Sequence, residues 1–525
     1  MKASIATIVF STALAAAIPA QGAEQLGKVN FPTSCDPSVQ QQFERGVAML
    51  HSFWFPAAEK TFRDVVAKDP SCVIAHWGFA SILMLNPLAG QGASVKRAPL
   101  AQEAIEQARK IGAKTQRERD YIEAVAAYYE DFANRPERQR QIARSKAYEA
   151  LAARYPDDDE AQIFNALYIA GTQTQADQTY AAYLKSAAIL EIQFTKHPDH
   201  PGVAHYLIHS YDAPSIAQQG LPAARRYAQI APSAPHALHM PSHVFTRVGA
   251  WADSVATNKR SAAVALEGKE LHEVLHASDY MVYANLQMAR DTDAKKVIED
   301  AQTVGEPNPA AFVGFYALAA MPARYAIERG NWSEAKQLPV SAGKFPFTEA
   351  LTRFARALGA ARSGDAAAAE IEVQQLAALG EKLKAAKNTY WANEVEVNRL
   401  GAAAWTALAQ GKNDEALRLM RSAADIEDKS EKHIVTPGRI IPARELLAEM
   451  LLQLKQPALA LKEFEASQVR EPNRFRGFYG AAMAAEASGN RQKAADNFTK
   501  LIAMTKDADS GREELRRAKA YVAAR

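Results

Sequence analysis

The sequence predicts an all-α protein built from repeated helical hairpins, and three observations carry that expectation. Ala-rich stretches with apolar residues three and four apart recur along the whole chain. Runs that alternate with a period of two, the mark of strands, are not evident. Proline or glycine interrupts the pattern every fifteen to twenty residues, the interval that ends one helix and begins another.

At the start of the chain, Lys2 precedes an apolar run from Ala3 to Ala17, followed by IPAQGAE. This is the layout of a secretory signal peptide over residues 1–23, cut near Ala20 to Ala23. The run falls short of the roughly 20 apolar residues of a membrane span, and no later stretch is long enough. The expectation is an exported protein, periplasmic or secreted. Lys and Arg number 62 against 59 Asp and Glu, a net charge of +3 spread over 525 residues without a basic block. Nucleic acid is thereby excluded as a partner, because binding it requires a concentrated phosphate-neutralising patch.

Cys35 and Cys72 both follow the signal, and an oxidising compartment favours their pairing over two free thiols. Beyond them the helical pattern acquires a period. Ala58, Phe62, Val65 and Pro70 have the same spacing as Ala223, Tyr227, Ile230 and Pro235, and as Ala460, Phe464, Ser467 and Pro472. Ala494, Phe498 and Leu501 repeat the third set one period later, and weaker copies end at Pro156 and Pro198. In these residues the chain resembles the tetratricopeptide repeat (TPR) family, whose unit of about 34 residues is a pair of antiparallel helices. The resemblance implies a TPR-like superhelical solenoid, because each hairpin has an apolar face that only a stacked neighbour can cover. The stretches Asn86 to Leu100, Gly305 to Phe312, Leu338 to Phe347 and Thr436 to Pro442 break the period and read as insertions or irregular connections. Two regions are expected after the signal, 24–290 and 291–525.

Nine of the twelve histidines fall between His197 and His276: His197, His200, His205, His209, His236, His239, His243, His272 and His276. Two pairs, His205 with His209 and His239 with His243, have the four-residue spacing that sets side chains next to each other on a helix. Each pair can present two imidazoles to one ion. Pro241 fits a first helical turn, where the helix dipole keeps nearby rings neutral, the form that binds metal. Asp212 or Asp279 can serve as a further ligand or orient a histidine through its second nitrogen. His197, His200, His236 and His272 sit at turns or helix starts and read as caps or solvent contacts; His51, His76 and His433 are isolated and read as structural.

In TPR proteins the first helix of each repeat lines a concave groove. The resemblance therefore implies that His205, His209 and Asp212 on one such helix, His239 on the next, and His276, Tyr280 and Tyr283 on a third face that groove. The stretches HYLIHSYD and HMPSHVFTRVGAW also resemble segments of exported bacterial TPR proteins, over roughly 195 to 290. Arg247, four residues after His243, can hold a substrate carboxylate or make a surface ion pair. Tyr206, Tyr211, Tyr280 and Tyr283 offer hydroxyls or packing, and Trp251 reads as core.

Neither histidine pair carries the Glu of HExxH, and no G-x-S-x-G, Walker loop, dinucleotide fingerprint or catalytic cysteine is present. The favoured expectation is a metal-dependent enzyme in which His205, His209, His239 and His243 hold one ion. His276 or Asp212 completes or tunes that site, and Arg247 and Tyr280 orient a small molecule or peptide. Nitrogen ligands suit zinc, copper, iron or nickel without choosing among them. A groove that binds a peptide or protein partner without catalysis, and a metal-delivery protein, remain the alternatives.

Overall fold

The computed structural model describes residues 24–90, 92–307 and 311–524, so the expected signal peptide lies outside the described residues. Among these residues there are 26 α-helices, one short 3-10 helix and no strand. No described helix is long and apolar enough to cross a membrane. Each helix packs on the one that follows and, in alternate layers, on the next but one: Phe312–Glu328 lies against both Leu271–Gln287 and Pro346–Arg362, which in turn meets Thr389–Ala409. That is the neighbour pattern of a solenoid of stacked antiparallel hairpins.

The repeat residues explain why the hairpins stack. Ala58, Phe62 and Val65 are buried on the helix Phe55–Lys68, and the Phe62 ring fills the space left by Gly46 on the preceding helix and Gly78 on the following one. An added Cβ would lie 2.4 Å from that ring at Gly78 and 3.0 Å from it at Gly46, so one aromatic ring packs closely on both neighbouring helices. Phe464 meets Gly480 in the same way near the other end of the chain. Polar residues set the helix starts: the Thr115 hydroxyl accepts from the Glu118 N–H, and Asp158, Asn388 and Asn490 cap later helices. Proline occupies the first helical position at Pro201, Pro235, Pro241 and Pro457.

One large apolar core runs from Leu26 to Phe245 and a second from Tyr316 to Ala494. The first also takes in Ile434, because the non-helical segment 429–442 crosses onto the N-terminal half. There the Glu431 N–H donates to the Gln175 carbonyl at 2.8 Å and the Tyr180 hydroxyl donates to the Glu431 carboxylate at 2.8 Å. Further along, Arg324 pairs with Asp279 at 3.1 Å, and Arg474 is buried between Glu328, Glu445 and the Tyr283 hydroxyl. The interruption expected at Thr436 to Pro442 is thus part of a connection that closes the solenoid on itself. The open groove expected over the histidines is filled.

Cys35 and Cys72 form a disulfide with Cα atoms 4.6 Å apart, tying the entry of the first repeat to its exit. Replacing both with serine should lower stability by about 4 kcal/mol, the loop-closure entropy released to the unfolded chain. A urea denaturation midpoint left unchanged by the double substitution would overturn that expectation.

Candidate metal centre

Three successive layers supply the site. Helix Pro201–Ser210 carries His205 and His209; the short helices Pro235–His239 and Pro241–Val248 carry His236, His239 and His243; helix Leu271–Gln287 carries His276 and Tyr280. Met240, between the two short helices, keeps helical angles (φ −53°, ψ −36°), so 235–248 runs as one rod interrupted only by the missing N–H of Pro241. On that rod His236, His239 and His243 are three and four residues apart and share a face. The layer is sealed: relative exposure is 0% for His205 and His239, 2% for His209, 3% for His243 and 5% for His276.

The rings meet through their Nε2 atoms. His205 and His209 approach to 3.1 Å, and His239 and His243 to 3.0 Å. In the second pair the tautomers are fixed from behind. Asn258 donates its amide to the Ser254 carbonyl at 2.8 Å and therefore turns its oxygen to His239 Nδ1, 2.7 Å away. The Asp212 carboxylate accepts from His243 Nδ1 at 2.8 Å. Both Nδ1 atoms thus carry hydrogens, and the two facing Nε2 atoms present lone pairs to each other. His205 is arranged alike, with Nδ1 donating to the His51 carbonyl at 2.6 Å. Two nitrogens about 2.05 Å from a shared tetrahedral ion lie about 3.3 Å apart, close to the spacing of both pairs.

Burial keeps the rings neutral. It pushes His205, His209 and His239 well below the ordinary imidazole range, with neighbouring histidines adding to the effect, and it pushes His276 down to about 3. His243 is also lowered by burial, against the pull of Asp212. Burial works against the charge on Asp212 too, but Lys432 and Arg247 outweigh it and hold the carboxyl far below its usual range. Arg247 Nε donates to Asp212 at 2.8 Å, and its other side faces Glu431 at 3.3 Å. Lys432 lies 3.8 Å from Asp212, its amine buried without a hydrogen-bond acceptor, and burial lowers it to about 8. Asp212, Arg247 and Lys432 line a cavity of about 30 Å³, room for one or two waters.

The expected residues are redistributed in several respects. His205, His209, His239 and His243 fall into two neighbouring sets: His205, His209 and His236 in one, His239, His243 and His276 in the other, with ligand atoms within 4.8 Å inside each set. His236, expected to make a cap or a solvent contact, turns its ring to 5.1 Å from that of His205, because the helical rod carries it onto the face of His239 and His243. Arg247 is not free for a substrate carboxylate, since Asp212 and Glu431 already hold its guanidinium. Asp212 orients His243, and Asp279 pairs with Arg324. The Tyr280 hydroxyl lies 3.3 Å from His243 Nε2. Tyr283 is taken up by Arg474, and Tyr206 bonds His51 Nδ1 at 2.9 Å.

His51 and His200 flank the Glu160 carboxylate at 2.9 Å each, and Glu160 and His200 line a cavity of about 900 Å³. His200 also caps its helix by accepting from the Val203 N–H, so this trio is internally satisfied and supports the centre through the His51 carbonyl. Gly202 is where it is because any side chain there would strike the His51 ring. His433 stacks on Trp391 far along the chain. Sequence reasoning missed His236, Asn258 and Lys432; the H-x2-H-x3-H spacing of the rod carried a signal for the first, and nothing local marked the other two.

No protein-family model matches the chain, and no curated protein matches it. Among solved structures it is similar to a chain of the APC/C hetero-tetramer Cut9–Hcn1, with 12% identity, 92% of this chain and 96% of that one covered, and a TM-score of 0.30. It is similar also to yeast Tom70, with 11% identity, 91% and 87% coverage and a TM-score of 0.29. The TPR domain of P58(IPK) gives 14% identity, 70% and 99% coverage and a TM-score of 0.21. The hairpin array itself defines the class: an all-α, TPR-like solenoid, here with a layer of histidines at its centre.

Below about pH 6.5 the unfolded chain takes up protons on imidazoles that the folded, metal-free chain keeps neutral. The stability this contributes is complete above that pH and is lost as pH falls toward the folded values, about 3 for His276 and His433. Urea midpoints of chelator-treated protein should therefore drop steadily from about pH 7 through 6 to 5. A flat profile would mean that the folded rings are already charged.

Proposed function

We propose that the chain is an exported metal-dependent enzyme whose transition-metal centre lies in the buried histidine layer. The observation that carries this reading is the contact of His239 and His243. Their Nδ1 hydrogens are committed to Asn258 and Asp212, so two lone pairs face each other at 3.0 Å in the buried interior. That arrangement is repulsive unless a cation lies between them, and burial disfavours the proton that would otherwise do so. Zinc, copper and iron all accept such nitrogen donors. A three-imidazole site with an open position supplies Lewis acidity or an activated water or oxygen species.

The protein's own groups suit a small reactant. The Tyr280 hydroxyl can deliver a proton beside His243 Nε2, and the burial of the layer leaves no room for a peptide. Asp212 fixes the His243 ring and balances Arg247 and Lys432. Export rests on the apolar start of the chain together with the Cys35–Cys72 bridge, which suits an oxidising compartment. The burial of the layer favours a second reading, a metal store or carrier without catalysis.

Elemental analysis of protein purified from its native compartment tests the first step. His209→Ala combined with His243→Ala should abolish most bound metal while leaving the helical circular dichroism signal unchanged, because the stacked hairpins depend on their apolar faces. His433→Ala should change nothing in metal content. Asp212→Asn should weaken metal binding by about 10- to 100-fold, the usual effect of removing the partner that orients a ligating imidazole. Full metal content in the double variant would refute the centre. Metal-loaded protein inert toward ester, phosphoester and phenolic substrates would favour the store.

A further inference from the structure

Resting on the reading of the histidine layer as a metal centre, we propose that it is binuclear: one ion on His205, His209 and His236, a second on His239, His243 and His276. Each set brings three ligand nitrogens within 4.8 Å of one another, and no larger group that mixes the two sets does so among the described residues. Four-nitrogen capture of a single ion would require that mixing. The geometry repeats across the sets. Each contains a pair of rings four residues apart with Nε2 atoms 3.0 to 3.1 Å from each other, and each is joined by a third ring from a neighbouring helix. His236 comes to the first set from the rod 235–248, with its Nε2 buried and without a hydrogen-bond partner. His209 Nδ1 is likewise buried and unpartnered. The His276 ring comes to the second set from Leu271–Gln287, 4.2 Å from that of His239.

The two sets touch. The rings of His209 and His243 are 5.7 Å apart, and those of His236 and His239 are 6.0 Å apart. Three neutral imidazoles per ion leave each a free position, and the free positions of adjacent ions are filled most economically by one shared oxygen ligand, as in two-metal sites with ions roughly 3.5 to 4 Å apart. The six rings bring no negative charge, while Asp212 and Glu273 lie just outside them, on His243 and on His236 at 2.8 and 3.7 Å. Glu273, which faces His236 and His272, offsets part of the charge of the two ions, whereas the charge of Asp212 is already matched by Arg247 and Lys432.

The test uses the full chain, stripped with chelator and titrated with Cu(II) alone. Two ions per chain are expected, with the electron paramagnetic resonance signal of the fully loaded protein far below that of two independent Cu(II) ions because a bridged pair couples. His236→Ala should bind one ion and regain a full uncoupled signal, and His276→Ala should do the same from the other side. No binding at all would overturn the metal reading itself. One ion per chain with four nitrogen couplings would overturn the pair and leave that reading standing. Two ions with a full two-spin signal would overturn the shared bridge. The wild-type stoichiometry and signal decide these outcomes even if a variant fails to fold.

Discussion

The interior of this solenoid depends on one buried carboxylate. Asp212 is buried away from bulk water, and transferring its charge there costs several kcal/mol before any contact is made. Three contacts to the carboxylate offset that cost: the His243 imidazole, the Arg247 guanidinium through its Nε, and the Lys432 ammonium at longer range, while a second Arg247 nitrogen donates to the Asp212 main-chain carbonyl. These partners come from a helix of the next repeat and from a segment more than two hundred positions later in the chain. The same carboxylate therefore orients a ring of the histidine layer and holds the cover over it.

A second buried charge cluster does for the far half what Asp212 does for the near one. Arg474 lies between Glu328 and Glu445 and donates to Tyr283, and Arg324 donates to Asp279 and to the carbonyls of Gly438 and Arg439. Tyr283 and Asp279 belong to the helix that carries His276. Removing one member of such a cluster leaves a charge stranded in the interior, which costs about 3 to 5 kcal/mol. The rigidity of the third histidine helix thus comes from ionic contacts to later repeats as well as from its apolar face.

Much of this was legible in the sequence because it is local. Ala58, Phe62 and Val65, and their counterparts at 223, 460 and 494, declare their helices through spacing alone, and each is buried where that spacing puts it. The approach of His205 to His209 and of His239 to His243 follows from four-residue periodicity. The partition of the rings into two sets did not follow, since it depends on how helices from three repeats are offset against one another. Nor did the fate of Arg247, which meets Asp212 from the next repeat and Glu431 across the whole fold. Asn258 was invisible for the same reason: its role is set by a neighbouring helix, and its own surroundings in sequence are those of an ordinary amphipathic stretch.

The cover formed by residues 431–434 has a consequence for the order in which the centre comes into being. During synthesis every imidazole of the layer has left the ribosome once His276 has emerged, and the first apolar core can already gather around the early hairpins. Ile434 and Lys432 reach it only after many further hairpins have been made. The Asp212 side of the layer is therefore completed last, when the connection 429–442 folds back and brings Lys432 to it.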